Sequence, residues 1–251
     1  DPHDLEQWKS KVRPNTKAFY GETLANPKND IFDIEGVSKV AHDVGVPLII
    51  DNTVATPYLI RPIEWGADIV VHSLTKFIGG HGTSIGGAII DGGTFDFGAS
   101  GRFPNLTEPD PSYHGMKFFE TFGPMKLAYL LKVRTQLLRD LGPAMSPFNA
   151  FLLLQGIETV SLRVERHVAN AQAVAEYLKS HPGVEWVEYA GLKQSRYHAL
   201  ARKYFDGAAP SLLTFGVKGG YEAGLKLVNS VKLFSHLANV GDTRSLIIHP
   251  A

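Results

Sequence analysis

The chain has 251 residues, enough to bury a substantial core in one large domain or two. Hydrophobic residues make up 44% and charged residues 20% of the sequence, which is typical of a globular protein in water. Lys plus Arg and Asp plus Glu number 25 each, and this zero formal net charge argues against nucleic acid as a partner. The absence of cysteine excludes disulfides, thiol nucleophiles and thiolate metal sites within the chain. No signal peptide or membrane span is evident, so we expect a cytoplasmic protein without a membrane partner.

The first half of the chain is predicted to alternate between helices and strands. We expect a short helix at 5–12, a buried strand at 18–20 and an amphipathic helix at 33–44. The runs at 46–50 and 69–71 are apolar without polar alternation, which is typical of strands buried on both faces of a parallel sheet. This order of elements predicts an α/β fold with a mostly parallel sheet.

Polar side chains follow the second and third predicted strands. Asp51 ends one apolar run, and Ser73, Thr75 and Lys76 come directly after the next one. Ligands of open α/β sheets bind at this edge, where the carboxyl ends of the strands meet. A lysine amine can form a Schiff base, hydroxyls can bind phosphate, and a carboxylate can keep a pyridine nitrogen protonated. The combination indicates pyridoxal 5'-phosphate (PLP). Taken singly, Lys76 could equally be a surface lysine, and Asp51 a helix cap or turn residue.

The rest of the chain, from residue 86 onward, is predicted to contain longer helices. Its expected elements are a strand at 86–90, an irregular loop at 92–115, an interrupted helix at 118–141, helices at 147–158 and 161–180, a strand at 184–189, a helix at 197–204, a strand at 212–217 and a helix at 221–230. The segment 147–158 is strongly apolar, which predicts a buried helix with Leu152, Leu153 and Leu154 in the core.

The pattern changes after the long helix at 161–180. The run at 184–189 alternates between apolar and polar residues, as a half-exposed antiparallel strand does. We therefore predict two domains, a large one at 1–160 and a smaller α+β one at 161–251, with the long helix as the bridge between them.

Several motifs, none specific alone, together resemble the Cys/Met-metabolism family of PLP-dependent enzymes. The motifs are E-T-L-A-N-P at 22–27, D-N-T at 51–53, S-L-T-K at 73–76, G-G-H-G at 79–82 and T-E-P-D-P-S-Y-H-G at 107–115. The last of these is similar to a segment of the family's sulfhydrylase branch, and the resemblance covers nearly the whole chain. It implies the aspartate-aminotransferase-like fold, fold type I, with a PLP-binding large domain and a smaller C-terminal domain. Compared with the family, we expect a fragment that lacks N-terminal and C-terminal parts, so that the large domain is without its N-terminal part and the small domain is incomplete.

The resemblance also implies which residues bind the cofactor. They are Lys76, Asp51, Ser73, Thr75, Asn26 and Thr53. Lys76 would bind PLP covalently and act as the catalytic residue, and Asp51 would pair with the pyridine nitrogen. Ser73 and Thr75 would bind the phosphate, and Asn26 would bind the phenolic oxygen. Thr53 would lie beneath the ring.

The activity implied by the resemblance is a γ-replacement in methionine and cysteine biosynthesis. O-acetyl-L-homoserine and sulfide, or a thiol, would give L-homocysteine and acetate. Cystathionine γ-synthase, O-succinylhomoserine sulfhydrylase and methionine γ-lyase activities remain alternatives, as does an inactive module without a complete PLP site. Relatives build each active site from two chains, so we expect a homo-oligomer, a dimer of dimers. His42, His72 and His81 lack metal-ligand spacing, so no metal is expected.

Overall fold

The protein is built on a four-stranded sheet with the strand order β1-β2-β3-β4. The structure, a computed structural model, describes residues 2–249. The strands are β1 (Phe19–Glu22), β2 (Leu48–Asp51), β3 (Ile69–Ser73) and β4 (Gly87–Asp91). The first three strands pair in parallel, and β4 pairs antiparallel to β3. The predicted α/β class with a mostly parallel sheet is therefore confirmed.

Helices flank the sheet and make up most of the second half of the chain. They are α1 (Leu5–Ser10), α2 (Ile34–Asp43), α3 (Thr56–Leu59), α4 (Pro104–Thr107), α5 (Phe118–Phe122), α6 (Ala128–Lys132), α7 (Arg139–Leu141), α8 (Pro147–Glu158), α9 (Val160–Ser180), α10 (His198–Tyr204) and α11 (Gly220–Ser230). A single turn of π-helix at Val133–Leu138 joins α6 to α7. Two small sheets complete the fold, one antiparallel pair of β5 (Val184–Glu188) and β6 (Thr214–Val217), and one parallel pair of β7 (Ser235–His236) and β8 (Leu246–Ile247).

The main hydrophobic cluster joins the sheet to helices from both halves of the chain. It contains Ile34 and Val37 of α2, Ile50 of β2, and Ala171 and Ala175 of α9, all of them buried. The four helical members are at positions that apolar spacings of three and four place on one face of a helix. The domain boundary near residue 160 stays a prediction, because side chains from both sides of it share this cluster.

The burial predicted for α8 is wrong for most of its apolar side chains. Leu153 is buried, but Leu154 is 64% exposed, and Phe148 and Phe151 are 67% and 54% exposed. The helix is apolar on all sides, so composition alone could not show which face packs against the protein. The side that does pack carries Leu153 and Gly156.

Within residues 2–249, no helix is both long enough and apolar enough to cross a membrane. The same residues contain no group of three or more His, Cys, Asp or Glu side chains arranged to hold a metal ion.

A buried ion pair fixes the long loop that follows β4. The Lys132 amine donates to the Asp110 carboxylate, and their side chains are only 10% and 6% exposed. Asp110 also accepts hydrogen bonds from the backbone amide and the hydroxyl of Ser112, at 2.8 and 2.6 Å. Lys132 first, and Ser112 second, lower the pKa of Asp110 to about 2.

This lowered pKa predicts a loss of stability in acid. Because the folded pKa of Asp110 lies below its ordinary value, the pair stabilises the fold above that value and loses its effect as the pH falls toward about 2. We expect Asp110→Asn to lower the free energy of unfolding of the full-length protein most above about pH 5, and progressively less toward about pH 2. Lys132→Met should remove the same pH dependence. Urea unfolding at several pH values measures this, and a pH-independent difference would contradict it.

Candidate active site

A fully buried amide, that of Asn52, ties together the strand ends at the site. Its Nδ2 donates to the carbonyl of Ile60 at 2.9 Å, and its Oδ1 accepts from the hydroxyl of Thr23 at 2.7 Å. The Asn52 backbone amide donates to the carbonyl of Val71 at 3.0 Å, which continues the β2–β3 ladder. Asn52 therefore fixes the residues on either side of it, Asp51 and Thr53, at the carboxyl edge of the sheet.

Asp51, Thr53 and Ser73 come together at this edge. The Thr53 amide donates to Asp51 Oδ1 at 2.9 Å, and the Ser73 amide donates to the Thr53 hydroxyl at 2.8 Å. In the sheet, Asp51 lies beside Val71 of the parallel neighbour β3. The parallel pairing thus places the acid of the D-N-T motif next to the start of the S-L-T-K motif, as the sequence predicted.

Negative charge accumulates around Asp51. The Tyr20 hydroxyl donates to Asp51 Oδ2 at 3.3 Å, and burial together with the charge of Asp51 raises the pKa of Tyr20 to about 12. Burial and Asp51 also raise the pKa of Glu22, which pairs with Asp51 across the β1–β2 ladder. A cationic group bound beside Asp51 would relieve this accumulation of charge.

Lys76 lies in the turn that follows β3, and its amine meets a residue from the far end of the chain. Lys76 Nζ donates to the side-chain oxygen of Asn239 at 2.5 Å. Two residues after Asn239, Gly241 has a φ of 81°, and a Cβ there would lie 2.8 Å from the carbonyl carbon of Lys76. The residue at 241 must therefore be glycine for this segment to approach the lysine turn so closely.

The side chains of Thr75, Ser73 and Asn26 differ in their hydrogen bonding. The Thr75 hydroxyl accepts from the Gly86 amide at 3.1 Å and donates to the Gly86 carbonyl at 3.3 Å. The Ser73 hydroxyl has no hydrogen-bond partner among residues 2–249. Asn26 lies exposed in the loop after β1, before a cis peptide bond to Pro27, and in the described part of the chain its side chain makes no hydrogen bond to another predicted site residue.

Sequence reasoning missed the contact between Asn239 and Lys76. The two residues are 163 positions apart, so no local spacing connects them. The only signal was the glycine at 241, two residues after Asn239, where a close approach of the backbone could be suspected.

The family comparison agrees with this geometry. The family described as "Cys/Met metabolism PLP-dependent enzyme" matches residues 1–251. The chain therefore belongs to the Cys/Met-metabolism family of PLP-dependent enzymes, and the resemblance of its motifs is confirmed.

Within this family, the chain is similar to named sulfhydrylases and synthases. The chain is 57% identical to an O-acetyl-L-homoserine sulfhydrylase from Leptospira meyeri and 54% identical to a homocysteine synthase from Schizosaccharomyces pombe. Each alignment covers 100% of this chain and 58% of the relative. The chain thus spans a little more than half the length of the curated relatives it matches.

A solved structure shares the fold. It comes from Campylobacter jejuni, is provisionally named O-acetylhomoserine (thiol)-lyase and contains N'-pyridoxyl-lysine-5'-monophosphate. The TM-score is 0.94 at 41% identity, over 100% of this chain and 61% of that one. The predicted fold class is confirmed by this likeness.

The residues of the site fit the family's cofactor. PLP carries an aldehyde, a ring nitrogen that is cationic when protonated, and a phosphate. The edge of the sheet offers the carboxylate of Asp51 and the hydroxyl of Ser73, which has no partner among residues 2–249, and the turn after β3 offers the amine of Lys76. The amine suits the aldehyde of PLP, the carboxylate suits its protonated ring nitrogen, and the hydroxyl suits its phosphate.

Removing the hydroxyl of Thr23 should destabilise this edge. Thr23→Val keeps the shape of the side chain but leaves the buried Oδ1 of Asn52 without its donor, which should cost about 1–3 kcal/mol of unfolding free energy. Urea unfolding of the full-length protein measures the loss. Thr121→Val, at an exposed position of α5, is the matched control and should change little. Equal stability of the two variants would show that the Thr23–Asn52 bond does not hold the strand ends.

Proposed function

We propose that the full-length protein catalyses a γ-replacement on O-acetyl-L-homoserine, in which sulfide or a thiol gives L-homocysteine and acetate. The observation that carries the proposal is the position of Lys76 in the turn directly after β3, the strand that pairs in parallel with the strand ending at Asp51. Identities of 57% and 54% to a sulfhydrylase and a homocysteine synthase support the choice of reaction.

Six residues would hold PLP in this proposal. Lys76 would bind its aldehyde carbon, and Asp51 would keep a proton on the ring nitrogen. The hydroxyls of Ser73 and Thr75 would donate to the phosphate, and Asn26 would donate to the phenolic oxygen. Thr53, whose hydroxyl is fixed by the Ser73 amide, would support the ring from below. When bound, PLP supplies an electron sink that acidifies the protons of the substrate.

Lys76 would also move the protons of the reaction. Its amine would take the proton from the substrate α-carbon and return a proton later, as general base and general acid. The Asn239 amide oxygen accepts a hydrogen bond from this amine at 2.5 Å, and this contact supports a role for Asn239 in orienting it.

The domain division belongs to the same proposal. We infer that residues 1–160 form the PLP-binding domain and that residues 161–251 form the bridging helix and part of a small domain. The position of β1 to β4 and Lys76 in the first range supports this, as does the antiparallel pair β5–β6 in the second.

Substitution of Lys76 tests the catalytic assignment. We expect borohydride reduction of the full-length protein with PLP to fix the cofactor on the peptide containing Lys76. Lys76→Ala should lose this modification and at least about a hundredfold of turnover, which is the usual contribution of a general acid–base group. Lys226→Ala, an exposed lysine on α11, is the control and should behave as the unchanged protein.

Product analysis of the same reactions decides the reaction type. Homocysteine from O-acetyl-L-homoserine and sulfide would support the proposal. Cystathionine formed with cysteine, or a keto acid formed without any nucleophile, would assign another activity of the family. Normal turnover by Lys76→Ala would refute the role of the lysine.

We also infer that the full-length protein is a homo-oligomer, a dimer of dimers. The outer face of α8 supports association between copies. Phe148, Phe151 and Leu154 are more than half exposed there, and residues 141–157 include no charged side chain. Depletion of charge together with exposed aromatic side chains is typical of the central part of a protein interface.

A charge on this face should weaken the assembly. We expect Leu154→Glu to raise the dissociation constant of the full-length oligomer by about tenfold or more, because a carboxylate would be buried without a partner. Asn170→Glu, at an exposed position of α9, adds the same charge elsewhere and should leave the assembly unchanged. Sedimentation velocity over a range of concentrations measures both. A monomeric unchanged protein would contradict the proposed oligomer.

A further inference from the structure

Arg163 of α9 binds the backbone immediately after Lys76. Its Nη1 donates to the carbonyl of Phe77 at 2.6 Å, and its Nη2 donates to the carbonyl of Ile78 at 2.9 Å. Nη2 also donates to the carbonyl of Gly156, near the end of α8, at 2.6 Å. One guanidinium therefore connects the lysine turn to two helices.

The surroundings are shaped to admit this guanidinium. Nε of Arg163 donates to the hydroxyl of Thr159 at 3.1 Å, which sets the plane of the fork. Gly80 has a φ of 73°, and a Cβ at this position would collide with Nη1 of Arg163. A Cβ on Gly156 would lie 2.6 Å from the carbonyl oxygen of Ile78. Two glycines thus provide the space in which the arginine reaches its acceptors.

The bonds made by Arg163 complete the hydrogen bonding of the turn. The Gly79 amide donates to the carbonyl of Leu74 at 2.8 Å, and the Gly80 amide donates to the carbonyl of Lys76 at 2.7 Å. The two carbonyls between these groups, at positions 77 and 78, are those that Arg163 binds. Hydrogen bonds from a charged donor are roughly twice as strong as neutral ones, so this arrangement holds the turn firmly.

We propose that Arg163 is a positioning residue for Lys76. By holding the carbonyls of the two residues that follow Lys76, it fixes the backbone from which the lysine side chain extends. This inference rests on the proposed role of Lys76 in binding PLP. Arg163 itself bonds only to the backbone and to Thr159 in the described part of the chain, and it acts on the reaction through the lysine.

The planar fork is the feature that matters in this proposal. A lysine at 163 would keep the positive charge, but its single ammonium group could not reproduce the geometry of a guanidinium that binds three carbonyls and a hydroxyl at once. The proposal therefore distinguishes a requirement for the fork from a requirement for charge alone.

The test uses the full-length protein with Arg163→Met and Arg163→Lys. In the cofactor-free protein, we expect both variants to speed hydrogen exchange of the Gly79 and Gly80 amides by about tenfold or more, because bonds to a charged donor are lost. With PLP added, borohydride should fix less cofactor on Lys76 than in the unchanged protein. Arg166→Met, an exposed arginine three positions further along α9, is the matched control and should change neither quantity.

Three results would overturn the proposal. The first is unchanged exchange at Gly79 and Gly80 in Arg163→Met. The second is an Arg163→Lys variant whose exchange rates and cofactor fixation equal those of the unchanged protein, which would show that only the positive charge at 163 is required. The third is faster exchange throughout the protein to the same degree, which would mark Arg163 as a general contributor to stability.

Two features keep the test decisive. If Arg163→Met does not fold, Thr159→Val is used instead: it removes the bond to Nε, together with the bond that the Thr159 hydroxyl donates to the Gly156 carbonyl at 3.3 Å, and leaves the three carbonyl bonds of Arg163. It should give a smaller change of the same sign. If the unchanged protein fixes no cofactor on Lys76, the proposed function fails, whereas the exchange rates still report whether Arg163 holds the turn.

Discussion

The arrangement of the site depends on the parallel pairing of β2 with β3 and on the buried amide that secures its end. Asn52 lies where both strands terminate, and burying an amide is costly unless its polar groups are bonded. Its bonds to Thr23 and Ile60 meet that requirement. Because each bond comes from a different segment, the amide holds the end of β1, the end of β2 and the connection after β2 in one arrangement. The backbone positions of the neighbouring Asp51 and Thr53 are fixed as a consequence.

Around this frame, the edge of the sheet brings a carboxylate together with hydrogen-bond donors. Burial and the charge of Asp51 raise the pKa values of Tyr20 and Glu22. The Thr53 amide donates to Asp51, and the Ser73 amide donates to the Thr53 hydroxyl. In the proposed function, a ligand with a cationic ring nitrogen and an anionic phosphate would meet an acceptor at Asp51 and donors at Ser73 and Lys76. Charge would then set the orientation of that ligand.

Sequence reasoning reached the parts of the site that follow from local pattern. Asp51, Ser73 and Lys76 each come at or just after the end of an apolar run, and the parallel pattern placed those ends at one edge. Asn239 and Arg163 were missed because they meet the lysine turn across 163 and 86 positions of the chain. Their contacts are with an amine and with backbone carbonyls, and no spacing in the sequence records such partners. The exposure of α8 was missed for another reason, since a helix that is apolar on all sides gives no periodic signal for its buried face.

Helix α8 packs closely against the turn that contains Lys76, and it also supplies one of the carbonyls that Arg163 binds. Its inner side carries Leu153 and Gly156, and the absence of a side chain at 156 lets the carbonyls of the lysine turn approach the helix backbone. The same approach brings the Gly156 carbonyl within reach of Arg163, so one guanidinium can bind acceptors from both segments. A larger residue at 156 would separate the turn from the helix and divide the acceptors that the guanidinium holds together. The small residue and the forked cation are therefore parts of one arrangement, and neither could be replaced without changing the surroundings of the other.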